Sequence, residues 1–167
     1  RLILALTSQQ FSAMFESGFA ESLEPMTVVD LPDWVDYDAF LLLLFYLYSG
    51  SLEGDATNGV ALPHKELSPP NEQRALLVCN LLRLSDLYLL GHLKSWCESY
   101  LGKEEVLTVY TVCGLLSHAD ICNAPQLLKV CCFIVRKMSA VIAVMPEWQE
   151  LPAELQARSL TGLGKEL

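Results

Sequence analysis

Three groups of residues in this 167-residue chain have types and spacing that chemistry can use. His118 and Cys122 stand four apart, where one helix puts both on the same face, and Cys113 lies nearby. An imidazole and two thiols suit zinc. Structural zinc takes about four ligands, however, and the chain has no C-x-x-C and no H-x-x-x-H pair to complete the set. Buried thiols beside a capping or core histidine are the better reading. Cys131 and Cys132 are adjacent, so a helix points them to different faces and not at one ion. Gly162, Gly164 and Lys165 hint at a phosphate loop, but the G-x-x-x-x-G-K-[ST] spacing fails, and Glu166 stands where the hydroxyl should be. We read this segment as a frayed terminus. No G-x-S-x-G occurs, and the acids are scattered over loops and helix starts, Glu104 and Glu105 among them, instead of pairing on one face. The expectation is a protein that is not an enzyme, with no catalytic residue, metal or cofactor.

Composition narrows the partners. A net charge of −9 and a pI near 4.7 oppose direct nucleic-acid binding, whose affinity comes from concentrated Lys and Arg. With 52% apolar residues the chain can bury a sizeable core, as one domain of ordinary size or two small ones. The longest charge-free runs, residues 39–52 and 106–119 among them, are each about 14 long, short of the roughly 18 that suggest a membrane span. No signal peptide is read at the start. The six cysteines lie mostly in apolar segments and read as reduced, buried thiols. Together these features predict a cytoplasmic protein, with the nucleus as a second compartment.

The elements are organised around residues 38–50, D-A-F-L-L-L-L-F-Y-L-Y-S-G. Every position from 39 to 48 is apolar or aromatic, so a helix here has no polar face and must be covered on all sides. Asp36 and Asp38 suit its start, and Ser49 and Gly50 its end. Either the helix runs through the centre of the fold, or the core covers one side and a second protein the other.

The remaining elements are shorter. Residues 1–7 fit a strand or one to two helical turns. Ser8 is a candidate N-cap for a helix carrying Phe11, Met14 and Phe15 and stopped at Gly18. Residues 26–31, M-T-V-V-D-L, are the best strand. Residues 51–71 hold three prolines and two glycines among polar residues and read as an insertion. Asn71 then caps a helix with Leu77, Leu81 and Leu84, and Gly91 separates it from another with Leu93, Trp96, Cys97, Tyr100 and Leu101, ended by Gly102. Beyond it only helices are predicted: 105–117, 125–137 and 152–160, with a shorter piece at 139–144 and prolines in two first turns.

The order of these motifs resembles BTB/POZ domains. L-I-L-A-L-T-S-Q-Q-F-S-A-M-F at residues 2–15 is similar to the family's I-L-A-A-R-S-P-Y-F-R-A-M-F stretch, and residues 27–31 to its V-x-L strand. Residues 40–50 resemble the F-x-x-L-L-x-F-I-Y-T-G helix end, and residues 84–101 the A-D-x-Y-x-L-x-x-L-x-x-x-C-E-x-x-L run that closes the domain. Residues 115–134 look like the BACK helices that follow BTB in many cullin-3 adaptors. The resemblance implies an α+β fold, a BTB/POZ fold with a small sheet flanked by helices, followed by an all-α BACK-like region. It places a BTB/POZ domain at 1–102, without the family's N-terminal helix and strand and with an insertion at about 53–71, and BACK-like helices at 103–167. The function implied is protein interaction: an adaptor that brings a substrate protein to a cullin-3 RING ubiquitin ligase. A homo- or hetero-oligomerisation module that never meets a cullin is the alternative. The family's contact role carries over to Tyr48 through the Y-T-G tyrosine, with Leu44 on the same stripe. The family's hydrophobic-then-acidic pair falls loosely on Val35 and Asp36, though 28–30 and 31–33 fit as well.

Overall fold

A computed structural model of the chain describes residues 2–16, 33–50, 52 and 72–161. It divides into two compact units, Arg1–Gly91 and His92–Leu167. The described residues are helical, with no strand among them. The predicted strand at 26–31, the insertion at 53–71 and the stop at Gly18 lie outside them.

In the first unit, residues 2–7 of the opening segment are helix and not strand, α1 (Leu2–Thr7). Ser8 then stands between α1 and α2 (Gln9–Glu16), its carbonyl accepting the Ser12 N–H at 3.0 Å. Its hydroxyl looks outward from the helix start: buried, it donates to the Tyr88 carbonyl at 2.9 Å. Phe11, one turn on, stacks on the Tyr88 ring at 4.5 Å, and Phe40 tilts against the same ring at 6.5 Å. Burial pushes the Tyr88 phenol above its usual range, so the ring stays neutral in this apolar setting.

The uncharged stretch forms α3 (Tyr37–Ser49), with the predicted boundaries. Asp36 is its N-cap: Oδ2 accepts the Ala39 N–H at 3.1 Å. Gly50 ends the helix at φ 76°, its N–H reaching the Tyr46 carbonyl at 2.8 Å, a left-handed conformation that favours glycine. The helix packs on α1 and on α4 (Glu72–Leu87), whose Val78, Leu81, Leu82 and Leu84 are buried. Each such aliphatic side chain contributes about 1.5–3 kcal/mol by leaving water.

The end of α4 departs from expectation. Gly91 does not separate the helices; it opens α5 (Gly91–Leu101). The left-handed residue is Leu89, at φ 56°, and the Leu90 N–H closes back on the Ser85 carbonyl at 2.8 Å. That reversal must fall within reach of the last carbonyls of α4, two residues before the glycine. An L side chain pays for this conformation, although the Leu89 side chain itself is exposed.

In the second unit, Leu93, Cys97 and Leu101 line the buried side of α5, as their spacing predicts. The next helix does not begin at 105. Residues 102–111 are turns in which the Thr108 N–H donates to Thr111 Oγ1 at 2.9 Å and the Thr111 hydroxyl to the Val106 carbonyl at 2.7 Å. These hydroxyls offer the backbone an alternative to helix, so α6 starts late (Val112–Ile121), and Glu104 and Glu105 lie in turns. Asn123, at φ 47°, takes the left-handed place that ends α6. α7 (Pro125–Lys137) has the predicted bounds. Two short helices, α8 (Ser139–Ile142) and the unpredicted α9 (Pro146–Gln149), lead to α10 (Ala153–Thr161). α7 packs on α6 and α10, and Arg158 pairs with Asp120 at 2.8 Å on the surface.

One buried acid ties α5 to α7. Glu98 Oε2 accepts the N–H groups of Gln126 (2.7 Å) and Leu127 (3.0 Å) in the first turn of α7, a cap supplied from another helix. Two stability changes are expected. Leu89→Gly should stabilise the chain by about 1 kcal/mol in urea unfolding, because the backbone strain is relieved and little side-chain burial is lost. Glu98→Ala should destabilise the second unit by about 2–3 kcal/mol, the value of a buried charge-assisted cap, read as faster amide exchange at Gln126 and Leu127.

Candidate protein-interaction face

Among the described residues, the groups that sequence offered for chemistry do not assemble into a reacting centre. Cys113 and Cys122 are buried and His118 half-buried along α6, and among the described residues no group of three or more His, Cys, Asp or Glu could hold a metal ion. Burial, and then the Glu147 carboxylate, push the Cys113 thiol above its usual range, which keeps it protonated at neutral pH. Cys79, Cys97 and Cys131 are buried too, and Cys132 is half-buried; none of the six forms a disulfide. A recess of about 300 Å³ in the second unit is lined by Val135, Ile142, Trp148 and Leu160 with three small residues, and no titratable side chain enters it. Gly162, Gly164 and Lys165 lie outside the described residues. Among the described residues no helix is long and apolar enough to cross a membrane.

The surface of α3 is different in kind. Ala39, Leu43 and Leu47, spaced by one turn, form its buried spine. On the opposite side Tyr37, Leu41, Leu44 and Tyr48 recur at i, i+4, i+7 and i+11. Leu41 and Leu44 are half-buried, while the two tyrosines at the ends are 72% and 59% exposed. The core therefore covers one flank of a helix that has no polar flank, and the other flank is a half-buried apolar stripe whose two aromatic ends are exposed. Sequence reasoning found Leu44 and Tyr48; it missed Tyr37 and Leu41, which the same spacing run backwards would have found.

The loop before α3 is pinned. Arg83 of α4 lays its guanidinium over the Trp34 ring, 4.0 Å from the centroid. Trp34, Val35 and Asp36 are all half-buried. Asp36 has a structural task as the N-cap, so its carboxylate is directed at the first turn of α3.

Among the described residues, helices pack by apolar spines and α3 leaves a surface without polar cover. Comparison with known proteins gives the class: residues 1–67 match the BTB/POZ domain family, and this part of the chain is a BTB/POZ domain, a protein-interaction module without enzymatic chemistry. The chain is 32% identical over 143 residues to BTB/POZ and MATH domain-containing protein 6 of Arabidopsis thaliana, covering 85% of this chain and 33% of that protein. It is 26% identical over 153 residues to Protein maternal effect lethal 26 of Caenorhabditis elegans, covering 90% and 33%. TD and POZ domain-containing protein 3 of Mus musculus is 26% identical over 152 residues, covering 90% and 35%. The chain thus spans about a third of the length of these relatives.

The cap and any docking role of Asp36 are separable. Asp36→Ala should lower stability by about 1 kcal/mol in thermal unfolding, whereas Asp36→Asn, which keeps an acceptor at Ala39 N–H, should stay within a few tenths of a kcal/mol of the parent.

Proposed function

We propose that this chain is the cullin-binding part of a substrate adaptor for a cullin-3 RING ubiquitin ligase. Residues 1–102 act as the BTB/POZ part and 103–167 as BACK-like helices, and the cullin-3 N-terminal region docks on the partly exposed stripe of α3. Tyr48 and Leu44 are the principal contacts, with Val35 and Asp36 at the edge. The observation that carries this reading is the aromatic-ended stripe opposite the spine of Ala39, Leu43 and Leu47. Such a stripe has the composition of an interface centre, apolar and aromatic with charge kept to the rim. The family resemblance supplies the partner class. The relative that carries a MATH domain beside its BTB/POZ domain fits an adaptor whose substrate is held by a separate part of the protein. The mechanism is scaffolding: a substrate held beside the ligase reacts at a raised effective concentration, and no group on this chain takes part in bond making.

Binding of the purified chain to the cullin-3 N-terminal region is the test. Tyr48→Ala should weaken it by about 2 kcal/mol, roughly thirtyfold, as a central aromatic contact does, and Leu44→Asp at least as much, with helical content unchanged by circular dichroism. A parent chain that does not bind, or variants that bind equally well, overturns the reading. A mass in solution that rises with concentration and falls in the same variants would instead assign the stripe to oligomerisation.

A further inference from the structure

The second unit carries another face that the cullin reading leaves unused. Residues 121–146 hold three of the chain's 11 lysines and arginines and none of its 20 acids, in a protein whose net charge is −9. All three cations, Lys129, Arg136 and Lys137, are exposed on α7. The helix buries Leu127, Cys131 and Val135, so its outer face centres on Phe133, with Val130 and Lys137 to one side and Lys129 and Arg136 to the other. Phe133 is 59% exposed, and Val130 is exposed beside it. Among the described residues neither Lys129 nor Lys137 is paired with an acid, and the Arg136 guanidinium donates from Nε to the Cys132 carbonyl of its own helix.

A phenylalanine ringed by cations on an otherwise acidic chain needs a partner that satisfies both properties. We propose that the outer face of α7 is a second docking site, and that its occupant is an acidic segment of another protein that carries at least one bulky apolar side chain. The apolar side chain covers Phe133 and Val130, and its neighbouring carboxylates meet Lys129, Arg136 and Lys137. Charge complementarity selects this occupant over broader ones. A bilayer or a nucleic acid presents negative charge over an area wider than one helix face and meets the acids of the rest of the chain, whereas a narrow segment touches only the helix. A second copy brings a net −9 of its own, so its approach is opposed by like charge. The proposal is independent of cullin binding, which concerns α3.

The experiment is panning of a phage-displayed library of random peptides on the 1–167 chain, in parallel on Lys129→Glu/Lys137→Glu and on Phe133→Ser. All three positions are exposed, and circular dichroism checks each fold; the two variants perturb charge and apolar contact independently. The expected result is a class of peptides kept by the parent and lost by both variants, with a surplus of Asp and Glu and at least one Leu, Ile, Phe or Trp. Such a peptide, synthesised, should bind either variant at least about tenfold more weakly, and should bind the parent more weakly as salt is raised. The proposal is overturned if no peptide class separates parent from variants, or if the class that does shows no acid surplus. It is also overturned if the parent, but not the charge variant, sediments with phosphatidylserine vesicles, or if the parent alone self-associates, since the face would then serve a membrane or a second copy.

Discussion

The first unit is held together by what happens around the Tyr88 ring. Phe11 stacks on it, Phe40 leans against it and the Ser8 hydroxyl bonds to its backbone carbonyl, so α2, α3 and the end of α4 meet at one residue. A buried carbonyl without a donor would destabilise the fold by more than an ordinary hydrogen bond stabilises it, which gives Ser8 a role that its size does not suggest. Because Phe40 lies in the first turn of α3, the same cluster fixes the rotation of that helix about its axis. Rotation decides which of its many apolar side chains face the core and which are left outside.

That choice is what gives α3 its character. A helix apolar on every side has no preferred orientation of its own, and any flank could in principle be buried. Here the spine of Ala39, Leu43 and Leu47 is inward and the stripe from Tyr37 to Tyr48 is outward. The polar ends of the outward tyrosines make that exposure tolerable, since each ring offers a large apolar face and a hydroxyl that water can satisfy. Asp36 at one end and Gly50 at the other set the length of the stripe, and the Arg83–Trp34 stack holds the chain that enters it.

The second unit solves a different problem, a helix start that has no capping side chain of its own. Ala124 precedes α7 and has no side-chain acceptor to offer its first N–H groups, and Pro125 removes one of those orphan donors; Glu98 satisfies two of the others from α5. The buried carboxylate is thereby paired with donors and with the positive end of a helix, which offsets its removal from water. With its start anchored, α7 can carry an outer face rich in cations and exposed apolar side chains at little cost to its own placement.

Much of this was legible in the residues. The bounds of α3 and α7, the stop at Gly50, the buried spacing along α5 and the BTB/POZ likeness of the first part all rest on signals that act within about one helical turn: caps, prolines and apolar periodicity. Where such signals competed locally the reading failed, as at residues 105–111, where threonine hydroxyls outbid helix, and at Leu89, which took the turn a glycine two residues later was expected to make. Tertiary structure alone decided the pairing of Ser8 with Tyr88 across 80 residues, the capping of α7 by Glu98 and the flank of α3 that stays exposed. The reason is physical: a cap or a period is set by neighbours in sequence, whereas the partner of a buried polar group and the inward side of an all-apolar helix are set by whatever the rest of the chain brings beside them.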